Sequence, residues 1–283
     1  MRRQRGVALL LVLWACTLLA IVLGGYATLA RTAALQTRYQ FERTRAHYAA
    51  EAGVMRAIYA LLQTDPKQHW SGDGRMYPFA FDDAKVQVSI VDEDGKVDLN
   101  AASPQVLQAL FRAAGLDATA ADKLAANIVD WRSFTANSTQ ADSLRAEYTA
   151  AGRAYGPRHG PFATLEEVQQ VLGMTPELYQ KVEPAITIWS GRAIPNPETA
   201  PPLALAAIPG MTPQQLQSLQ AARNQNANAG ALPIGGGITH SIRSQAELAD
   251  GTRAVIRATI RLQPGSSRSQ PYTVLRWQEG EGE

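Results

Sequence analysis

From Val7 to Ala30 the chain runs for 24 residues without a charged side chain. An α-helix of that length spans ~36 Å, more than the ~30 Å of a bilayer's hydrocarbon core. Arg2, Arg3 and Arg5 precede the run and no arginine lies inside it, which predicts a membrane helix with a cytoplasmic N-terminus. A cleaved signal peptide and a plain anchor are the competing readings. A signal peptide has an apolar core of about 7–15 residues followed by an A-x-A-like site. Here the core is longer and passes without a turn signal into helix-compatible sequence. From Arg31 to Gln63 there is no proline, and the only glycine is Gly53. Tyr48, Ala52, Met55, Tyr59 and Leu62 recur at steps of 4, 3, 4 and 3, which predicts one apolar stripe packed on a globular head. Arg38, Glu42, Arg43, Arg45 and Glu51 supply polar faces, and Asp65-Pro66 stops the helix.

Over the whole chain the composition is that of a folded protein. Apolar residues make up 46% of the chain and charged ones 18%, which excludes a mainly disordered chain. A net charge of +2 argues against a dedicated nucleic-acid binder. Cys16 is the single cysteine and the four histidines are scattered, so an intrachain disulfide framework and a cysteine zinc cluster are excluded. The sequence contains no G-x-S-x-G, H-E-x-x-H, P-loop or G-x-G-x-x-G, and no enzymatic activity is expected.

Lys85–Val91 alternates as a strand, and Asp92-Glu93-Asp94-Gly95-Lys96 reads as a solvated turn leading to a short strand at Val97–Leu99. A helical block follows from Ser103 to about Val182. Ser103 is its N-cap with Pro104 at the first helical position, and later starts are expected at Thr164 and Thr175. Gly191–Pro202 reads as a proline-rich linker, Pro213–Arg223 as a helix and Asn224–Gly237 as a flexible loop. Ala254–Arg261 and Tyr272–Trp277 are strands, with a further one at Gly237–Ile242. Strands on both sides of so long a helical stretch predict one sheet interrupted by an insertion, an α+β fold.

Several segments carry a family likeness. Arg5-Gly6 followed by Val7-Ala8-Leu9-Leu10-Leu11 resembles the leader of type IV pilin-like proteins. Tyr48–Gly53, Val97–Ser103, Ile128–Arg132, Tyr155–Phe162, Glu166–Val168 with Val171–Met174, Asn196–Pro201 and Pro271–Trp277 follow in the order seen in one branch of that family. The sequence thus resembles the minor pseudopilins of the K type (GspK-like) of type II secretion systems. The resemblance implies a pilin-like long N-terminal helix on an antiparallel sheet, with a large inserted helical subdomain of the helix-hairpin-helix (SAM-like) kind. It implies a leader over 1–6, a transmembrane half-helix over 7–30, an amphipathic half over 31–64, head segments over 65–99 and 230–283, and the insertion with its linker over 100–229. Cleavage by a prepilin peptidase falls between Gly6 and Val7. Removing six residues with three arginines leaves 277 residues, with 24 basic against 25 acidic side chains.

Most pilins carry a glutamate at the fifth mature position, where it pairs with a neighbour's terminal amine inside the apolar bundle. Here that position is Leu11, which implies a subunit suited to be first. The implied place is the inner membrane, single-pass, with a periplasmic head. The implied partners are the I- and J-type minor pseudopilins, other pseudopilus subunits and the inner-membrane secretion platform.

Three groups of residues invite other chemistry. Asp92–Asp98 fails as an EF-hand, since aligning Gly95 to the invariant glycine puts Ile90 and Ala101 at ligand positions. The resemblance implies calcium in the helical domain, with Asp130, Asp142 and Glu147 as candidate ligands, although Ser133, Thr135 and Leu144 stand where relatives often place acids. The hairpins at Ala114-Gly115-Leu116, Leu172-Gly173-Met174 and Pro209-Gly210-Met211 resemble helix-hairpin-helix elements, which present backbone amides to DNA phosphates. A membrane-tethered DNA receptor is the rival function, but residues 206–217 carry no Lys or Arg, so no nucleic acid is expected.

Overall fold

The computed structural model describes residues 5–65, 67–134, 138–228, 237–263 and 270–281. The N-terminal segment is one helix, α1 (Arg5–Leu61), of 57 residues and ~86 Å. Pro66, the expected stop, lies outside the described residues. A hairpin follows, β1 (Asp73–Phe81) and β2 (Ala84–Asp92). The alternating segment at 85–91 is its second arm. The first arm carries no alternation in its sequence, because Pro78 interrupts it and neither of its faces is fully buried. Asp82 makes the turn with φ of +54°, a left-handed conformation that aspartate tolerates better than most residues.

The chain then leaves the sheet. It passes a 3₁₀ turn (Glu93–Gly95) and β3 (Val97–Asp98), and builds α2 (Pro104–Ala113), α3 (Ala118–Arg132), α4 (Ser138–Ala150) and α5 (Pro176–Val182). It comes back along β4 (Ile186–Thr187), parallel to β3. After α6 (Pro202–Ala206) and α7 (Pro213–Asn228) it re-enters the sheet as β5 (Thr239–Glu247), β6 (Arg253–Leu262) and β7 (Tyr272–Glu281). The antiparallel order is β1-β2-β5-β6-β7. Asp92 at the end of β2 lies opposite His240 near the start of β5, so the insertion departs and returns at one place.

Local chemistry explains most of these starts. The Ser103 hydroxyl accepts from the Val106 N–H at 3.4 Å, and that of Thr175 from Leu178 at 3.2 Å. Thr164 makes no such bond and heads a 3₁₀ segment (Leu165–Gln170) instead of an α-helix. Two expectations are corrected. Helix α7 runs on through Asn228, so 224–228 is not loop; Gly235 and Gly236 lie outside the described residues. Gly191–Pro202 is no free linker, because Asn196 and Ala200 are buried and the Asn196 N–H donates to the Asp94 carbonyl at 2.8 Å.

Two separate cores result. One lies between α1 and the sheet and is built from Val54, Ile58, Val86, Val88, Ile90, Ile242, Ile256 and Ile260. The other is internal to the insertion and centres on Leu107, Leu110, Phe111, Leu124, Ile128 and Trp131.

Candidate functional site

Every residue of α1 from Ala8 to Phe41 is exposed, including Leu11, Trp14 and Cys16. An apolar surface of this extent is not left in water by a soluble monomer. It fits a single-pass anchor, and α1 is the one helix among the described residues that is long and apolar enough to cross a bilayer. Gly6 and Val7 lie in the first turn of α1; Met1–Gln4 lie outside the described residues.

The second half of α1 is built differently from the predicted stripe. Tyr48, Met55 and Tyr59 are 61%, 39% and 52% exposed. The face against β2, β5 and β6 is instead Ala46, Ala49, Ala50, Gly53, Val54, Ala57 and Ile58. Small residues let the helix approach closely, while the bulky rings stay outside. At Gly53 an added Cβ would stand 2.1 Å from Ser244 Oγ and 2.9 Å from Val86 Cγ1, so only glycine fits without a shift. The signal for this contact was present as the lone glycine of 31–63. Ser244 gave none.

The junction also departs from expectation. Asp92 and Glu93 are 1% and 0% exposed, so the acidic run is a buried connector and not a solvated turn. Asp92 Oδ1 accepts from the Asp94 N–H at 2.9 Å and its Oδ2 from the Gly237 N–H at 2.7 Å, joining the departing chain to the returning one. Asp98 does the same at β3. Its Oδ1 accepts from Asn100 N at 2.7 Å and Ala101 N at 3.2 Å, and its Oδ2 from Gly191 N at 2.7 Å and Ser190 Oγ at 3.2 Å. Burial pushes the Asp92 and Asp94 carboxyls up. Burial also depresses the neighbouring His240 to about 4, against the fields of Glu93 and Asp94.

Inside the insertion the segments that carry the family likeness hold one another. Arg132 donates to the Leu99 carbonyl at 2.7 Å and to that of Ala102 at 2.6 Å. The Asn100 side chain bridges both backbone groups of Phe162, at 2.7 and 3.1 Å. Trp131 stacks on Phe162 and donates its indole N–H to Glu167 at 3.0 Å, and Glu167 is also paired with Arg158.

The calcium candidates do not converge. Asp130 lies on α3 and senses Glu147 and His159; burial pushes its carboxyl up. Asp142 and Glu147 sit five positions apart on α4, ~140° around the helix, and they line different depressions. Ca²⁺ needs six to eight oxygens. Among the described residues no three carboxylate, histidine or cysteine side chains are placed to hold a metal, so these residues do not fit the ion. Thr135 lies outside the described residues.

The hairpin glycines Gly115, Gly173 and Gly210 all take positive φ. The cation nearest the 206–217 hairpin in sequence is Arg223 on α7. Its guanidinium is bonded to the carbonyls of Ala200 and Pro197, within the protein rather than offered to a phosphate.

Residues 87–191 match the family model for the type II secretion system (T2SS), protein K. A type II secretion system protein K from Klebsiella pneumoniae is 24% identical over 250 residues, covering 80% of this chain and 76% of that protein. A chain from the crystal structure of the GspK-GspI-GspJ complex of the enterotoxigenic Escherichia coli type 2 secretion system shares the fold. Its TM-score is 0.58 at 20% identity, over 87% of this chain and 100% of that one.

Proposed function

We propose that the chain is a protein K of the type II secretion system, a minor pseudopilin, as its likeness to that family supports, and that it stands at the tip of a pseudopilus, where it starts or caps assembly for protein export across the outer membrane. The observation that carries the proposal is Leu11 in the exposed apolar half of α1, where 7–30 offers no carboxylate to a neighbouring subunit's amine. Such a subunit lacks the group that would register it on one already in place. A helical insertion rising from one point of the head fits the same role, because it obstructs stacking on its side.

In this reading a prepilin peptidase cuts between Gly6 and Val7, the helix rests in the inner membrane, and the head folds in the periplasm. The I- and J-type minor pseudopilins are its partners, as the assembly of the similar solved complex suggests. The work is mechanical, performed by helix packing and not by catalysis.

Mass spectrometry of the membrane-extracted protein tests the processing step. The expected N-terminus is Val7; an intact Met1 or a cut near Ala30 defeats the reading. Leu11→Glu tests the tip. A carboxylate left unpaired in hydrocarbon costs ~2–3 kcal/mol, so secretion is expected to fall by about tenfold or more. Unchanged secretion would count against a tip position.

A further inference from the structure

We propose that the seam between the sheet and the helical insertion is a binding site for a small oxyanion, a phosphate or a carboxylate. Residues alternate faces along β5 and β6. Ile242, Ser244, Ile256 and Ala258 turn toward α1, and Arg243 and Arg257 take the opposite face. These two arginines stand directly opposite each other across the β5–β6 pair. Like charges in that register repel, and such a pair is destabilising unless something neutralises it. Both line a cavity of about 250 Å³ that Lys96, Arg276, Trp189 and Glu183 complete.

The charges in this cavity do not balance. Lys96 is held by Glu93 at 2.6 Å and Arg276 by Glu166. Arg243 bonds only a neutral group, Gln245 Oε1 at 3.1 Å. Among the described residues no carboxylate lies within ion-pair distance of Arg243 or Arg257. Glu183 is the one acid of a lining that also holds the two unmatched guanidinium groups. Guanidinium forks match the planar, two-oxygen edge of carboxylate and phosphate better than any other ligand class. The cavity is smaller than the ~300–1,000 Å³ typical of sites for drug-sized ligands, which suits an ion the size of pyrophosphate or citrate. Arg257 is exposed, which leaves a way in.

The test uses the full chain in detergent, titrated with pyrophosphate, citrate or a tetraglutamate peptide against sodium chloride at matched ionic strength. Calorimetry and thermal melting are the readouts. Pyrophosphate is expected to bind and to raise the melting midpoint beyond the chloride control. Arg243→Ala and Arg257→Ala should each weaken binding by about tenfold or more, and the double variant should abolish it. Without added anion, Arg257→Gln is expected to melt no lower than the parent, since it relieves the repulsion without emptying a core position. Peptide binding with the same arginine dependence would assign the site to an acidic segment of a partner, whereas binding of the small ions alone would assign it to a free anion. Equal shifts from pyrophosphate and chloride, or a double variant that binds as the parent does, would overturn the site.

Discussion

The two halves of α1 are continuous in backbone and opposite in design. From Ala8 to Phe41 the helix exposes everything it has, and most of its large residues are aliphatic. From Ala46 to Leu61 it buries one face, and that face is mostly alanine with one glycine. The first half must satisfy lipid, which rewards apolar bulk and needs no shape match. The second must meet a sheet, which rewards close approach. Hydrophobicity alone finds the first surface and mistakes the second. In the packed half the bulkiest apolar residues, Tyr48 and Tyr59, point away from the head.

The largest expected effect comes from breaking the packed half. Gly53→Leu drives a side chain into Ser244 and Val86, and overpacking of this kind costs ~3 kcal/mol. For a head of this size that lowers the melting midpoint by about 6–12 °C. Tyr59→Ala, nearly two turns further along but outward, should cost ~0.5 kcal/mol or less. If the two variants melt alike, the assignment of faces on α1 is wrong.

Acid should separate the halves next. His240 titrates at about 4 when folded, below its ordinary ~6.5. The folded state thus refuses a proton that the unfolded state takes, and the stability it confers is complete above pH 6.5 and is lost as pH falls toward 4. The contribution is at most ~3 kcal/mol. Asp92 and Asp94 work against it, since their raised carboxyls take protons early in the folded state and gain stability as pH falls. The head is expected to melt lower at pH 4.5 than at 7, with His240→Gln flattening the slope. The membrane half has nothing that titrates in this window and should keep its helical circular dichroism. The smallest effect is reserved for calcium. At millimolar concentration it should move the midpoint by less than ~1 °C, and a larger shift would show that ligands outside Asp130, Asp142 and Glu147 complete a site.

Much of the architecture was legible because its signals are local. The Ser103-Pro104 start, the Thr175 cap and the interruption of one sheet by a helical block all follow from neighbouring residues. What escaped depends on distant ones. The acidic run at 92–94 is buried because its hydrogen-bond donors include Gly237, some 145 positions away. Asp98 likewise finds Ser190 and Gly191. The two-residue β4 carries no periodicity to read, whereas its partner β3 lies inside the short strand expected at 97–99. The candidate cluster Asp130, Asp142 and Glu147 looked coherent only along the chain; on α4 the turn of the helix parts its last two members.

The pairing of β3 with β4, beside Asp92 and His240, has a mechanical consequence. Tension drawn along α1 passes into β2, β5 and β6, where the helix is seated on one face, and need not cross the seam on the other face, where Arg276–Glu166 and Arg261–Trp189 hold the insertion. The helical subdomain is thus a pendant and not a link. It can keep its shape while the helix on the opposite face is loaded.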